Sequence, residues 1–300
     1  MTVSELLCEA ATQLTAAGLD DAESVSEVLL AHTLRVDPMA LLSSDSEAVS
    51  DSQTRRYREL IAKACEMTPP QYLTGQVSFF GQLFDCDPRA LIPRPDTETL
   101  VRATLERCED DLLRVLDYGT GTGCVAISLK LARPNWLVSG ADQSEDALEL
   151  AADNLKRHEL VRGVNLFRVS SLRGSADSEW DVIVSNPPYV SAEEYQSLDR
   201  RVKDYEPENA LLSGEDGLDL IRHLIDEGTR VIRLKGWLLL EIGCEQGARV
   251  RDLFERSGYD QVEVLQDPSG LDRVVVGRNA RLEVASTPSD GTMELDLESG

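Results

Sequence analysis

At 300 residues the chain exceeds the usual size of one domain, so a large domain with a smaller companion is expected. Hydrophobic residues make up 42% of it, enough for a sizeable core, yet the apolar runs are too short to cross a bilayer and the N-terminus lacks an export signal; a cytoplasmic location without a membrane partner is expected. The formal charge of −24, from 54 acids against 30 bases, raises the cost of approaching a bare polyanion, so no nucleic-acid partner is expected and solubility is the simpler reading of the charge.

Residues 1–75 read as a small helical domain. Leu6, Leu7, Ala10, Leu14 and Ala17 recur at helical spacing and Gly18 follows as a stop signal. Residues 20–34 repeat the pattern through Val25, Val28, Leu29 and Ala31. Pro38 opens a short segment, and 53–67 predicts a further helix with Tyr57, Leu60, Ile61 and Ala64 inward. The first 54 residues hold ten acids and one base, which makes the outer face of this domain acidic. Pro69-Pro70 breaks the helical pattern. Residues 76–93 then alternate and carry Phe79, Phe80, Gly81 and Phe84, which predicts a β-hairpin linker.

From 94 to 280 helices and strands take turns. Helices are expected over 97–107, 124–132, 144–157, 217–234 and 247–257, and strands over 112–117, 136–141, 165–169, 181–185, 237–242, 261–266 and 273–277. That alternation implies an α/β domain built on a mostly parallel sheet covered on both faces, with the last two strands as an antiparallel edge hairpin. Residues 281–300 carry five acids and one base without apolar periodicity and are expected to be a disordered tail.

Three motifs carry chemistry. The first, VLDYGTGTGCVAISL, runs from a strand ending in Asp117 through Gly119, Thr120, Gly121, Thr122 and Gly123 into a helix. Glycines there permit a tight turn and a close approach of cofactor to backbone, beside the free N–H groups of a helix start. The dinucleotide fingerprint looks similar, but Cys124 occupies the place of its third glycine. The second is Asp142, at the end of the following strand and 25 residues after Asp117, where a carboxylate can accept from both ribose hydroxyls of an adenosine-containing cofactor. Asp142 could instead cap the next helix, a role for which Ser144 competes.

The third is DVIVSNPPYV, an apolar strand ending in Asn186-Pro187-Pro188-Tyr189. A planar amide or aromatic NH2 presents two N–H donors. The Asn186 side-chain oxygen and the Pro187 carbonyl are two acceptors that can hold both, fixing the plane and turning a face of the nitrogen toward a methyl donor; Tyr189 can pack on the planar group. All three motifs fall on the carboxyl edge of one parallel sheet, where such sheets bind ligands. The six cysteines and three histidines are scattered without ligand spacing, so no disulfide framework and no metal site are expected.

A glycine-rich GTGTG turn followed by NPPY resembles the class I N-methyltransferases with a seven-stranded Rossmann-like sheet, and among them the release-factor glutamine methyltransferases. PPQYLTGQVSFFGQLFDCDPRALIPRPDTETL, YEPENALLSGEDGLDLIRHLI, EIGCEQG and DPSGLDRVVVGR resemble that family's further segments, over about residues 5–278 in all. The resemblance implies S-adenosyl-L-methionine as cofactor and the glutamine of a Gly-Gly-Gln loop in peptide chain release factors as substrate. It also implies a substrate-recognising helical domain over 1–75; a monomer is the default expectation for this architecture. Carried over residue by residue, Asp117, Gly119 to Gly123, Asp142, Leu172 and Asn186 would bind the cofactor. Asn186 and Pro187 would be catalytic, and Asn186, Pro187, Pro188 and Tyr189 would hold the glutamine. Departures from the family pattern are Asp96 in place of glutamate, Tyr118 in place of leucine, and Ser171-Leu172 where an aspartate often precedes the residue near adenine. A ribosomal-protein glutamine methyltransferase, a DNA adenine methyltransferase acting on a flipped base and a non-catalytic cofactor-binding module remain alternatives.

Overall fold

The computed structural model describes residues 1–41, 46–175 and 179–280. The acidic tail expected at 281–300 lies outside the described residues.

The N-terminal part is a helical bundle of α1 (Val3–Ala16), α2 (Ala22–Leu34), α3 (Pro38–Leu41), α4 (Asp51–Cys65) and α5 (Pro70–Thr74). Thr2 and Ser50 begin α1 and α4 with capping boxes closed by Glu5 and Gln53. Leu6, Leu14, Leu29, Tyr57 and Ile61 meet in its core, and the buried Tyr57 hydroxyl donates to the Ser26 carbonyl at 3.1 Å. Pro69-Pro70 does not end the helical structure as its sequence suggests. Pro70 takes the first turn of α5, where its missing N–H costs no hydrogen bond.

Strands β1 (Gln76–Phe79) and β2 (Gln82–Asp85) form the expected hairpin. It is no free-standing linker, because Phe79 and Phe84 are buried within the larger domain's core. After a 3-10 turn (Pro95–Thr97) come α6 (Glu98–Arg107), β3 (Arg114–Tyr118), α7 (Cys124–Ala132), β4 (Leu137–Asp142), α8 (Glu145–Arg157), β5 (Val164–Arg168) and β6 (Trp180–Ser185). Two short helices follow, α9 (Ala192–Ser197) and α10 (Arg200–Lys203), in a stretch the sequence reading leaves as loop. Then come α11 (Asp219–Val231), β7 (Ile232–Glu241), α12 (Gly247–Arg256), β8 (Tyr259–Gln266) and β9 (Asp272–Asn279). Among the described residues no helix is long and apolar enough to cross a membrane.

The seven strands lie in the order β5-β4-β3-β6-β7-β9-β8, parallel from β5 to β7, with β9 antiparallel to both neighbours. Successive side chains alternate between two helical layers. Val115, Val182, Val184 and Leu239 face one core, and Leu116, Ile183, Leu238 and Leu240 the other. The helix expected over 217–234 stops at Val231, because Ile232 already pairs with Trp180 of β6. Strand pairing overrides the helical period there. Asn154 of α8 ties the hairpin down, accepting from the Asp85 N–H at 2.7 Å and donating to the Asp85 carbonyl at 3.0 Å.

Phe84→Ala is expected to lower stability by about 3–5 kcal/mol, the cost of a large aromatic removed from a closed core. Urea unfolding followed by circular dichroism measures it; a loss under about 1 kcal/mol would mean that the hairpin packs only loosely.

Candidate active site

Strand register builds the site. Ala141, Tyr118, Ser185 and Leu240 lie in one row across β4, β3, β6 and β7. The next residues along the four chains are Asp142, Gly119, Asn186 and Glu241. After β3 the chain runs outward to β4 and β5, and after β6 it runs the other way. Gly119 and Asn186 therefore flank the topological switch point, where open sheets leave a crevice.

That crevice is a cavity of about 540 Å³ lined by Gly119, Gly121, Asp142, Ser144, Asn186 and Pro188, among others. The turn beside it has positive φ at Gly119 (74°), Gly121 (53°) and Gly123 (81°), a backbone that side chains disfavour. Asp117 lines the cavity but is 1% exposed, and its Oδ2 accepts from Thr120 Oγ1 at 2.7 Å and from the Ala126 N–H at 3.1 Å. It braces the turn and the start of α7, and burial pushes its carboxyl up to about 7. Asp142 accepts from the Gly121 N–H at 3.0 Å and the Ser144 N–H at 2.9 Å, and burial raises its carboxyl as well. The cap of α8 goes to Ser144, whose hydroxyl accepts from the Ala147 N–H at 3.2 Å, so Asp142 faces the cavity.

Thr120 and Thr122 line the cavity, whereas Gly123, the N-cap of α7, does not; a Cβ on it would come within 3.3 Å of Ala151 Cβ. Leu172 is placed elsewhere than its expected role requires. Its side chain is fully buried in the core beside α11, its N–H donates to Glu227 at 2.8 Å, and Ser170 takes the place on the cavity wall. The residue after the third strand is apolar because it plugs the core, which motif spacing alone does not reveal.

At the Asn-Pro-Pro-Tyr corner, Asn186 Nδ2 donates to Thr97 Oγ1 at 3.1 Å, which leaves Oδ1 as the open end of the amide. Among the described residues neither Asn186 Oδ1 nor the Pro187 carbonyl receives a hydrogen bond. Of the corner, Asn186 and Pro188 line the cavity, Pro187 is buried beside them and Tyr189 is half-buried. The Tyr189 hydroxyl points to Glu241 Oε1 at 3.5 Å, and burial with that neighbouring charge keeps the phenol protonated.

Comparison with known proteins places the chain. Residues 5–75 match the family model described as PrmC N-terminal domain, and residues 96–203 match the methyltransferase small domain. The chain is 36% identical to the release factor glutamine methyltransferase of Nitratidesulfovibrio vulgaris, over 94% of this chain and 97% of that one. It is 36% identical to the Bacillus cereus protein of the same name, covering 92% and 98% of the two chains, and 34% identical to that of Salmonella typhimurium, covering 93% and 99%. The chain belongs to the release factor glutamine methyltransferase family. Solved structures share the fold. A methyltransferase from Pyrococcus furiosus matches with a TM-score of 0.51 at 19% identity, over 76% of this chain and 98% of that one. The hMettl16 catalytic domain matches with a TM-score of 0.55 at 13% identity, over 75% and 92%.

The segments that resemble this methyltransferase family converge on the corner. Gln246, from EIGCEQG, donates to the Tyr189 carbonyl at 2.9 Å and accepts from the Gly243 N–H at 3.0 Å. A side chain at Gly217 would collide with that same carbonyl. Glu206, from YEPEN, is buried, accepts from the Ile92 N–H at 3.0 Å and pairs with Arg94 of the IPRP run. Arg273, from DPSGLDR, bridges Asp267 at 3.2 Å and Asp96 at 3.3 Å. Glu241, Thr97, Glu206 and Gln246 are site residues that sequence reasoning missed. The available signal was a charged residue closing the apolar run WLLLE at the sheet's carboxyl edge.

Asp117 gives a pH signature. Its folded-state pKa lies above the ordinary 3.8, so the stability it contributes is full below that value and is lost as pH rises through about 7. Asp117→Asn keeps the acceptor but removes the buried charge. Thermal unfolding should show the variant gaining stability over wild type at pH 8, by an amount on the order of a few kcal/mol that shrinks toward pH 4. An equal offset at both pH values would show that Asp117 is ordinarily acidic.

Proposed function

We propose that this protein transfers the methyl group of S-adenosyl-L-methionine to the side-chain amide nitrogen of a glutamine in the Gly-Gly-Gln loop of peptide chain release factors, acting in the cytoplasm as a monomer. The observation that carries this reading is the Asn186 amide, held by Thr97 with its oxygen unengaged in the same row as Gly119 and Asp142. The residues present fit the cofactor. A cavity of about 540 Å³ borders a positive-φ glycine turn, and an acidic side chain on its wall is already oriented by two backbone N–H groups.

The cofactor supplies, when bound, a methyl group already activated by a sulfonium. Asp142 would accept from the ribose hydroxyls, and the turn from Gly119 to Thr122 would hold the methionine and ribose portion. Asn186 Oδ1 and the Pro187 carbonyl accept the two N–H bonds of the glutamine amide. That orients its plane and increases electron density on nitrogen, while Pro188 and Tyr189 border the planar group. Positioning two reactants in line accounts for most of the rate, and the surplus proton leaves to water after transfer. The bundle of residues 1–75 recognises the remainder of the release factor. Arg201 of α10 binds Asp21 at 2.8 Å and Tyr205 donates to the Glu66 carbonyl at 2.9 Å, so the bundle is fastened to the segment that follows the Asn-Pro-Pro-Tyr corner.

Mass spectrometry of the release-factor loop peptide after incubation with enzyme and cofactor tests the assignment. One added methyl on the glutamine is expected, and label appearing instead on a ribosomal protein or on DNA adenine would replace it. Asn186→Ala should lower kcat by about a hundredfold or more, the loss of an acceptor that orients the reacting amide, with cofactor affinity within about threefold of wild type. Near-normal turnover would remove the clamp from the mechanism. Asp142→Ala should weaken cofactor binding in calorimetry by about tenfold or more, since a charged acceptor for hydroxyls is worth roughly 1.5–3 kcal/mol; unchanged affinity would mean that another group holds the ribose.

A further inference from the structure

Glu241 ends β7 in the row occupied by Asp142, Gly119 and Asn186, and it is 1% exposed. Its surroundings are unusual for a buried carboxylate. Oε1 meets the Tyr189 hydroxyl only at 3.5 Å, and Oε2 has no hydrogen-bond partner. Buried polar atoms are rarely left so, because the lost hydration is not returned. The Thr97 hydroxyl faces this carboxylate without closing a well-formed hydrogen bond, near enough to favour its charged form. Thr97, itself 3% exposed, is the residue whose Oγ1 accepts from Asn186 Nδ2.

A hydroxyl has one proton. If Thr97 gives it to Glu241, the lone pairs of Oγ1 remain for Asn186, and only the NH2 end of the amide can bond there. If Glu241 is itself protonated, it can donate to Oγ1 in its turn, which releases the Thr97 proton to another acceptor. The Asn186 amide already lies against Thr97 Oγ1, and turning it over offers its oxygen as that acceptor. An amide so turned presents NH2 to the cavity, and a donor there repels the N–H groups of a substrate amide. We propose that Glu241 is a positioning residue that sets, through the Thr97 hydroxyl, which end of the Asn186 amide faces the cavity, with ionised Glu241 selecting the acceptor end. This rests on the glutamine-amide reading of the site above.

Burial pushes the Glu241 carboxyl up to about 7, against the lowering effects of Thr97, Arg273 and Tyr189, while Asp96 raises it further. Cys124 of α7 also faces it, as a buried thiol whose own pKa is raised and which stays neutral. The switch therefore operates near neutrality. Its sign is fixed: the acceptor end faces the cavity above the Glu241 pKa and is lost as pH falls through it. Asp117, buried on the far side of the glycine turn, titrates in the same range. It accounts only for pH dependence that survives replacement of Glu241.

The test uses the full chain, uniformly labelled with nitrogen-15. The side-chain NH2 signals of Asn186, identified by their loss in Asn186→Asp, are followed from mildly acidic to mildly alkaline pH. They should titrate in wild type with a midpoint near 7, hold still in Glu241→Gln and Thr97→Val, and titrate again in Thr97→Ser. In methyl transfer to the release factor, wild-type kcat should fall about tenfold for each unit of pH below that midpoint. Glu241→Gln should be slower and lose the tenfold-per-unit fall, keeping at most the shallower dependence that Asp117 contributes, with KM for the release factor little changed. Signals that titrate alike in wild type and Glu241→Gln, or in neither, would overturn the proposal. The resonance measurement needs no substrate, so a wild-type enzyme that shows the Glu241-dependent titration yet methylates no glutamine upholds the switch and refutes the substrate assignment.

Discussion

The hydrogen bond from Asn186 Nδ2 to Thr97 Oγ1 joins the end of β6 to a 3-10 turn 89 residues earlier in the chain. A primary amide has a donor end and an acceptor end of nearly equal shape, and packing alone does not choose between them. The choice decides what the site can recognise. With the NH2 end held by Thr97, the oxygen is left for an incoming N–H donor; with the ends exchanged, the same residue would present a donor. The PRPDT segment before α6 and the NPPY segment after β6 thus act as one unit although neither explains the other in sequence.

Holding that unit in place requires buried charge. Glu206, Glu227, Glu241, Asp117, Asp267 and Arg273 are all buried in the larger domain. Such groups are tolerated where hydrogen bonds and counter-charges return what hydration supplied, and most of these have them. Glu206 takes the Ile92 N–H and Arg94, Glu227 takes the Leu172 N–H and Arg173, and Arg273 sits between Asp267 and Asp96. Glu227 and Arg273 fasten loops to a helix and a strand behind them, and Glu206 joins two loops to each other. Glu241 stands apart, since its second oxygen remains without a donor. It also lies one strand from Asn186, where an incompletely satisfied carboxylate has the greatest leverage.

The same segment that forms the corner carries the helical bundle. Tyr205 and Arg201, just past α9, reach Glu66 and Asp21, while Glu206, next in sequence, anchors back to Ile92 and Arg94. The hairpin between bundle and sheet is held as firmly, with its phenylalanines in the core and its last strand bonded to Asn154. The bundle and the sheet domain are therefore joined through short, doubly anchored chain segments rather than through a loose connection.

Fold class and the three motifs were legible in the sequence because they rest on local physics. The period of apolar residues distinguishes helix from strand, glycines mark the positive-φ turn, and a strand that stops at Asn-Pro-Pro declares its own end. The closing antiparallel hairpin was legible from the missing helix between the last two strands, whereas strand order was not. Tertiary structure decided what depends on distant partners. Leu172 plugs a core rather than lining the cavity, Asp117 braces the turn, and Pro70 starts a helix instead of ending one. Above all, the side-chain orientation at Asn186 depends on Thr97 and Glu241, which meet only when the 3-10 turn before α6 packs against the strand ends that register has aligned. Local sequence encodes conformation residue by residue; which end of an amide faces a cavity is settled by charges that only the closed fold brings together.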